Sequence, residues 1–188
     1  ELLERSGGNP FFAIELLRSK HFGAAAHARV DDVSERGGVS ERIRATVRAR
    51  VADVSETTRL LLRTAAVLGT ELTSAVLTHA LGLDEGVVLD ALQEAEAARL
   101  LHEHPASSGT FEFLHALVPE ALYAELGRRE RMAMHGRVAR ALEAVYGPHA
   151  GRRAAVLAHH WRLATPTGPS PEAARHAREA GDLALDQL

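Results

Sequence analysis

Between Leu100 and Leu114 the spacing of apolar residues changes, once, from helical to alternating. Leu100 to His104 and Thr110 to Leu114 flank Pro105-Ala106-Ser107-Ser108-Gly109, and Phe111-Glu112-Phe113 alternates apolar with polar. Two short runs around such a turn-forming segment predict a β-hairpin. No other stretch is strand-like, so the fold has to seat one hairpin among helices.

Helix punctuation is dense before the hairpin. In Gly7-Gly8-Asn9-Pro10, Asn9 suits an N-cap and Pro10 the first helical position. The helix they open runs to about Lys20, with Phe11, Ile14 and Leu17 inward. His21 to Val39 is interrupted by Gly23, Asp31-Asp32 and Gly37-Gly38 and predicts a linker. Ser40 caps a helix with Ile43, Val47, Val51 and Val54 on one face and Arg42, Arg44, Arg48 and Arg50 around the rest. Ser55 caps the next, which carries Leu61, Ala65 and Leu68 and ends at Gly69. Thr73 to Leu81 is a short helix stopping at Gly82, and Asp84 caps another with Val88, Leu92 and Ala95 inward. Three helices followed by a hairpin, over roughly Glu56 to Leu114, is the order of a winged helix-turn-helix.

Helices resume after the hairpin. Pro119 is tolerated only in a first turn, which places that helix start no earlier than about Ala116. Arg128 to Tyr146 follows, with Met132, His135, Val138, Leu142 and Val145 on one face and Gly147-Pro148 as its stop. Arg152 to Ala164 is helical, Thr165 to Pro169 breaks the chain, and Pro171 opens a last helix. Its small face, Ala173, Ala177, Ala180 and Ala184, predicts the close pairing of an α-solenoid. The expected fold class is therefore mainly α: a winged helix-turn-helix with one small β-hairpin, followed by α-solenoid-like helices.

Composition agrees. Apolar residues make up 46% of the 188, aromatics only 4%, as expected for close-packed Ala- and Leu-rich helices. The net charge of −3 argues against a general nucleic-acid or membrane-surface role. Cysteine is absent, which excludes disulfides and thiolate metal sites and fits a cytoplasmic location. No apolar run approaches the ~20 residues needed to span a bilayer, and no signal peptide is seen. The chain opens at Glu1 without Met and reads as a segment of a larger protein.

Motifs for catalysis are missing. Of the eleven histidines, His102-Glu103-His104 and His159-His160 are the tightest groups, and no His-Glu-x-x-His exists. Such histidines are more often surface or satisfied core groups than ligands, so no metal site is expected. There is no Gly-x-Ser-x-Gly and no phosphate-cradling Gly-x-x-x-x-Gly-Lys-Ser/Thr, so no enzyme is expected in this chain. The helix that would enter a DNA groove carries Asp84, Glu85, Asp90, Glu94 and Glu96, with no base before Arg99. Carboxylates facing phosphates repel them. Two segments remain: Gly8-Asn9-Pro10-Phe11-Phe12, in the bland reading a capped helix start, and Phe111 to Val118, a strand running into a helix. Both place residues at helix N-termini, where free N–H groups and the dipole favour an anion.

Those segments carry a resemblance. Gly8-Asn9-Pro10-Phe11-Phe12 with Glu15-Leu16-Leu17, Ser40-Glu41-Arg42-Ile43-Arg44, Leu60-Leu61 with Ala65-Ala66-Val67-Leu68-Gly69, Phe113-Leu114-His115-Ala116-Leu117-Val118 with Glu120-Ala121-Leu122-Tyr123, and Ala158-His159-His160-Trp161 together resemble the middle of STAND-class signal-transduction ATPases, in particular large LuxR-type transcriptional regulators. The first and fourth blocks are specific; the others are generic amphipathic helices. The resemblance implies an order of ATPase core, helical lid, winged helix and helical repeats. It implies a lid remnant and linker over residues 1–39, a winged helix over 40–126 and the start of a repeat region over 127–188. Gly8, Asn9 and Pro10 would lie beside the nucleotide, Pro10 on the adenine side, and His115 would sense the phosphates of ADP. Leu114 and Pro119 depart from the family, which often has basic residues there. The implied function is coupling of ATP or ADP state in a core outside this chain to an output domain. The repeats would receive a protein or small-molecule inducer, and DNA would be reached only through the output domain. The alternatives are a DNA-binding winged-helix module and an interaction scaffold without a nucleotide link.

Overall fold

The computed structural model describes residues 41–69, 72–147, 151–165 and 170–185, with side chains from Val47 onward except Arg152. The expected helix at Pro10, the linker, and the cap at Ser40 lie outside these residues. Among the described residues the protein has eight α-helices and one small antiparallel sheet of three strands.

Helix α1, Glu41–Ala52, directs Val47 and Val51 inward, and Val54 closes the turn behind it. Arg48 Nε reaches Glu125 Oε1 at 2.6 Å and so ties α1 to the helix after the hairpin. Helix α2, Glu56–Leu68, begins at Ser55, whose Oγ accepts from Thr58 N–H at 3.2 Å. Its apolar stripe widens toward the C-terminus until Thr64, Ala65, Ala66, Val67 and Leu68 are all buried. The two alanines leave room for neighbouring helices, and α4, α5 and α6 all pack on α2.

Strand β1 is only Leu72–Thr73. Thr73 also caps helix α3, Ser74–Leu81, by accepting from Val76 N–H at 3.3 Å, and Gly82 ends that helix in the left-handed region (φ 65°). Helix α4 spans Glu85–Ala97 and buries Val88, Ala91, Leu92 and Ala95. Asp84 stands at its N-cap position but makes no capping side-chain bond. Strands β2, Leu101–Glu103, and β3, Thr110–Phe113, form the expected hairpin. The third strand was not expected: Leu72 pairs with Phe111 and Thr73 with Thr110, giving the order β1-β3-β2. Two residues are too few to show a period, and only the tertiary pairing reveals them.

The acidic residues of α4 divide into two groups. Asp84, Glu85 and Asp90 are exposed. Glu94 instead clasps the start of α2: its Oε1 accepts from Ser55 N–H (2.8 Å), and its Oε2 accepts from the Ser55 hydroxyl (2.6 Å) and from the Thr58 hydroxyl. These bonds, Ser55 Oγ foremost, hold the Glu94 carboxyl below its ordinary pKa. Glu96 Oε1 accepts from Glu103 N–H at 2.7 Å, and Glu103 Oε1 accepts from Gly109 N–H at 2.6 Å, bracing the hairpin loop.

Helix α5, Leu117–Glu125, places Pro119 in its first turn, and α6 is Arg128–Tyr146. On α6 the buried set is Met134, His135, Gly136, Val138, Ala139, Ala141 and Leu142, with Met132 and Val145 half-buried at its margins. A 3₁₀ turn, Gly151–Arg153, leads into α7, Ala154–Ala164, which packs on both α6 and α8, Pro171–Leu185. The alanine seam expected on α8 needs correction. Ala173 and His176 are buried and Ala180 half-buried, while Ala177 and Ala184 face solvent. The inward face follows His176 because that imidazole meets Glu143 on α6, at 2.9 Å. One buried apolar cluster runs from Val47 to Leu157 and joins α1 through α7.

Helix α4 ends in a Schellman turn: Leu100 N–H donates to the Ala95 carbonyl and Arg99 N–H to that of Glu96, both at 2.9 Å. The position that glycine usually fills is Arg99, with φ 55°. A side chain in that region is strained, partly offset by the stiffer unfolded chain relative to glycine. Arg99→Gly is expected to raise stability by roughly 0.5–1 kcal/mol in urea unfolding. A loss of stability would show that the arginine side chain compensates its own strain.

Candidate functional site

Most of the core is aliphatic, yet three helices bring polar rings together inside it. Tyr123 on α5, His135 on α6 and His160 on α7 are 8%, 2% and 2% exposed. Tyr123 Oη lies 3.0 Å from His135 Nε2, and His135 Nδ1 lies 2.8 Å from His160 Nδ1. His160 in turn bonds the backbone of Leu68, at the end of α2. The His159 ring stands edge-on to both imidazoles, with centroids 5.9 and 5.4 Å away.

The directions of these bonds follow from the carbonyl at one end. The Leu68 oxygen can only accept, so His160 donates to it. A neutral imidazole has a single N–H, which leaves His160 Nδ1 as an acceptor. His135 must then donate from Nδ1, its Nε2 must accept, and the Tyr123 hydroxyl donates. Burial pushes the His135 pKa down to about 4, with His159, Arg131 and Arg162 adding to the effect. Burial also pushes His160 down to about 3, helped by His135 and His159 and opposed by the Leu68 bond. Both rings are thus neutral at ordinary pH. Every ring nitrogen of the pair is engaged, so neither offers a lone pair to a metal or substrate.

Arg131 completes the outer side. Its Nε and Nη2 donate to the Tyr123 and Ala124 carbonyls, each at 3.1 Å, and its guanidinium lies 4.5 Å over the Tyr123 ring. It therefore caps the C-terminus of α5 while covering the relay. A cleft of about 580 Å³ opens there, lined by Tyr123, His135, Arg131 and neighbours on α6 and α7. A second polar knot fixes α8. Glu143 Oε1 accepts from Trp161 Nε1–H (3.3 Å) and Arg175 Nη2–H (2.8 Å) and lies 2.9 Å from His176 Nε2.

The residues singled out by sequence lie elsewhere. Gly8, Asn9 and Pro10 are outside the described residues. His115 is half-buried in the turn between β3 and α5, where its carbonyl accepts from Val118 N–H at 3.0 Å. His102 pairs across the hairpin with Glu112 at 2.8 Å. Among the described residues no three His, Cys, Asp or Glu side chains form a group able to hold a metal ion. None of the described helices is long and apolar enough to cross a membrane. Sequence reasoning misses the relay because His135 reads as one position of an apolar stripe, and His159-His160 read as a pair of surface or core groups with nothing to connect them to Tyr123. A polar residue at a core position of that stripe was the available signal. Comparison with protein-family models, curated proteins and solved structures finds no match to this chain.

The neutral rings make stability depend on pH. Their folded pKa values lie below the unfolded value of 6.5, so in acid the unfolded chain binds more protons. Stability is complete above about pH 6.5 and falls toward pH 4, by about 1.4 kcal/mol per pH unit for each histidine. His160→Gln keeps a donor for Leu68 but cannot titrate. Urea unfolding between pH 7 and 5 is expected to show a shallower acid loss in this variant. An unchanged slope would show that His160 is not held neutral by the fold.

Proposed function

We propose that this chain is the regulatory middle segment of a STAND-type, ATP-dependent transcriptional regulator of the large LuxR kind. In this reading, residues around α2 to β3 form a winged helix, and α6 to α8 begin a helical repeat region. The observation that supports it best is the order α2-β1-α3-α4-β2-β3 with strand order β1-β3-β2. This is how a winged helix joins the strand before its second helix to its wing. The exposed acids Asp84, Glu85 and Asp90 on α4 favour a protein surface over phosphates as the neighbour of that helix.

The mechanism would be a population shift. With ADP the winged helix packs on the ATPase core, with Gly8, Asn9, Pro10 and His115 near the nucleotide. ATP and an inducer at the repeats favour an open, self-associating form. The core, the nucleotide and the output domain belong to the parent protein, and DNA is reached through that output domain.

Two measurements test this. The isolated chain should give no heat on titration with magnesium and ATP, since the phosphate-binding loop lies in the core; micromolar binding would overturn the assignment. In the parent protein, His115→Ala should remove a contact made only in the ADP state. A hydrogen bond to a phosphate contributes roughly 1.5–3 kcal/mol, so the closed-to-open ratio should fall about ten- to a hundredfold, giving output without inducer. A large drop in melting temperature with no constitutive output would instead make His115 a structural residue.

A further inference from the structure

The cleft beside the relay has a charge opposite to that of the chain. Arg128, Arg131 and Arg162 all line it, and among the described residues that line it none is Asp or Glu. The acids next to it in sequence are directed elsewhere: Glu125 pairs with Arg48 at 2.6 Å and Glu130 faces Arg63 at 3.8 Å. The positive field reaches inward, since Arg131 and Arg162 both disfavour a proton on His135.

The remaining lining is apolar. Leu126, Met132 and Leu163, with the Tyr123 ring, provide a surface that water wets poorly. The volume of about 580 Å³ is that of a small-molecule site, and an apolar wall with a few convergent polar groups is its usual make-up. Arg131 is held in place by the two carbonyls it caps, so its remaining N–H donors are already oriented. A guanidinium fixed in this way suits an oxyanion, because its planar fork matches carboxylate and phosphate oxygens.

We propose that the cleft between α6 and α7 binds a small organic anion, a phosphate ester or a carboxylate carrying an apolar body. Arg128 and Arg131 take the oxyanion, and Leu126, Met132, Leu163 and Tyr123 take the body. As a binding site it stands apart from the nucleotide-linked reading. As the inducer site of a regulator it rests on that reading, and binding is measured separately from output.

Calorimetry at constant ionic strength tests it with phenyl phosphate and benzoate, which share a ring and differ in the oxyanion. Inorganic phosphate and phenol supply the head and the body alone. At least one of the two whole probes should bind one to one, about tenfold more tightly than either half. Arg128 is exposed, and Arg128→Gln should fold as the parent chain does and weaken binding by about tenfold. Binding of either whole probe that is unchanged in Arg128→Gln would place the site elsewhere. No binding by either probe, or binding only of an acidic peptide such as hexaglutamate, would overturn the proposal. Binding without any effect on output in the parent protein would uphold the site and refute its role as the inducer site.

Discussion

Helix α2 ends inside the protein, and much of the packing answers to that fact. The last carbonyls of any helix lack partners within it. Here Val67 and Leu68 are each 5% exposed, so water cannot serve all of them. Gly69 N–H takes the Ala65 carbonyl at 3.0 Å, and His160 provides for Leu68. Once His160 gives its one proton to Leu68, its other nitrogen needs a donor, which is His135. His135 then needs a donor for its own far nitrogen, which is Tyr123. A single buried carbonyl therefore sets two tautomers and one hydroxyl rotor. Loss of any member leaves a buried polar group unsatisfied, which costs about 1–3 kcal/mol.

The same logic attaches α8, with weaker apolar support. Only Ala173 and His176 of that helix are buried, and Leu185 near its end is 69% exposed. Its hold on α6 depends on Glu143, which gathers Trp161, Arg175 and His176. Helix α8 packs along α7 but fully buries only the Ala173 and His176 side chains, and a helix that buries little apolar area opens more readily than an aliphatic core. Burial thus grades from a dense centre around α2 to the more exposed helix α8.

Much of this architecture was legible because caps are local chemistry. Ser55, Thr73, Gly69, Gly82 and Gly147 each act within a few residues of their own position, so the sequence around them predicts the boundaries they make. The hairpin was legible for the same reason. What escaped was non-local. Strand β1 exists only because Phe111 and Thr110 lie beside it. Glu94 counted as a surface charge until Ser55, far away in sequence, turned out to be its donor. Tyr123, His135 and His160 sit on three helices, and no periodicity connects them. The candidate site was the least legible part: of the residues proposed to approach nucleotide, only His115 lies among the described residues, and of the relay only His135 stands on a stripe read as packing.

A fully aliphatic junction between α5, α6 and α7 would have satisfied the hydrophobic effect equally well. It would not have fixed the helices against one another. Leucine and alanine surfaces tolerate a displacement of one residue type by another with modest change in energy. Hydrogen bonds of 2.8 and 3.0 Å between rigid rings do not, because a shift of about an ångström breaks them. The chain of donors is also mutually dependent: removing the Leu68 carbonyl frees His160 to change tautomer, and His135 and Tyr123 must follow. The junction therefore has a satisfied arrangement and broken ones, with little between them. Packed interfaces of this kind change by discrete steps rather than by gradual deformation. Because Arg131 and His135 belong both to the relay and to the cleft wall, whatever occupies the cleft acts on a junction able to respond in that way.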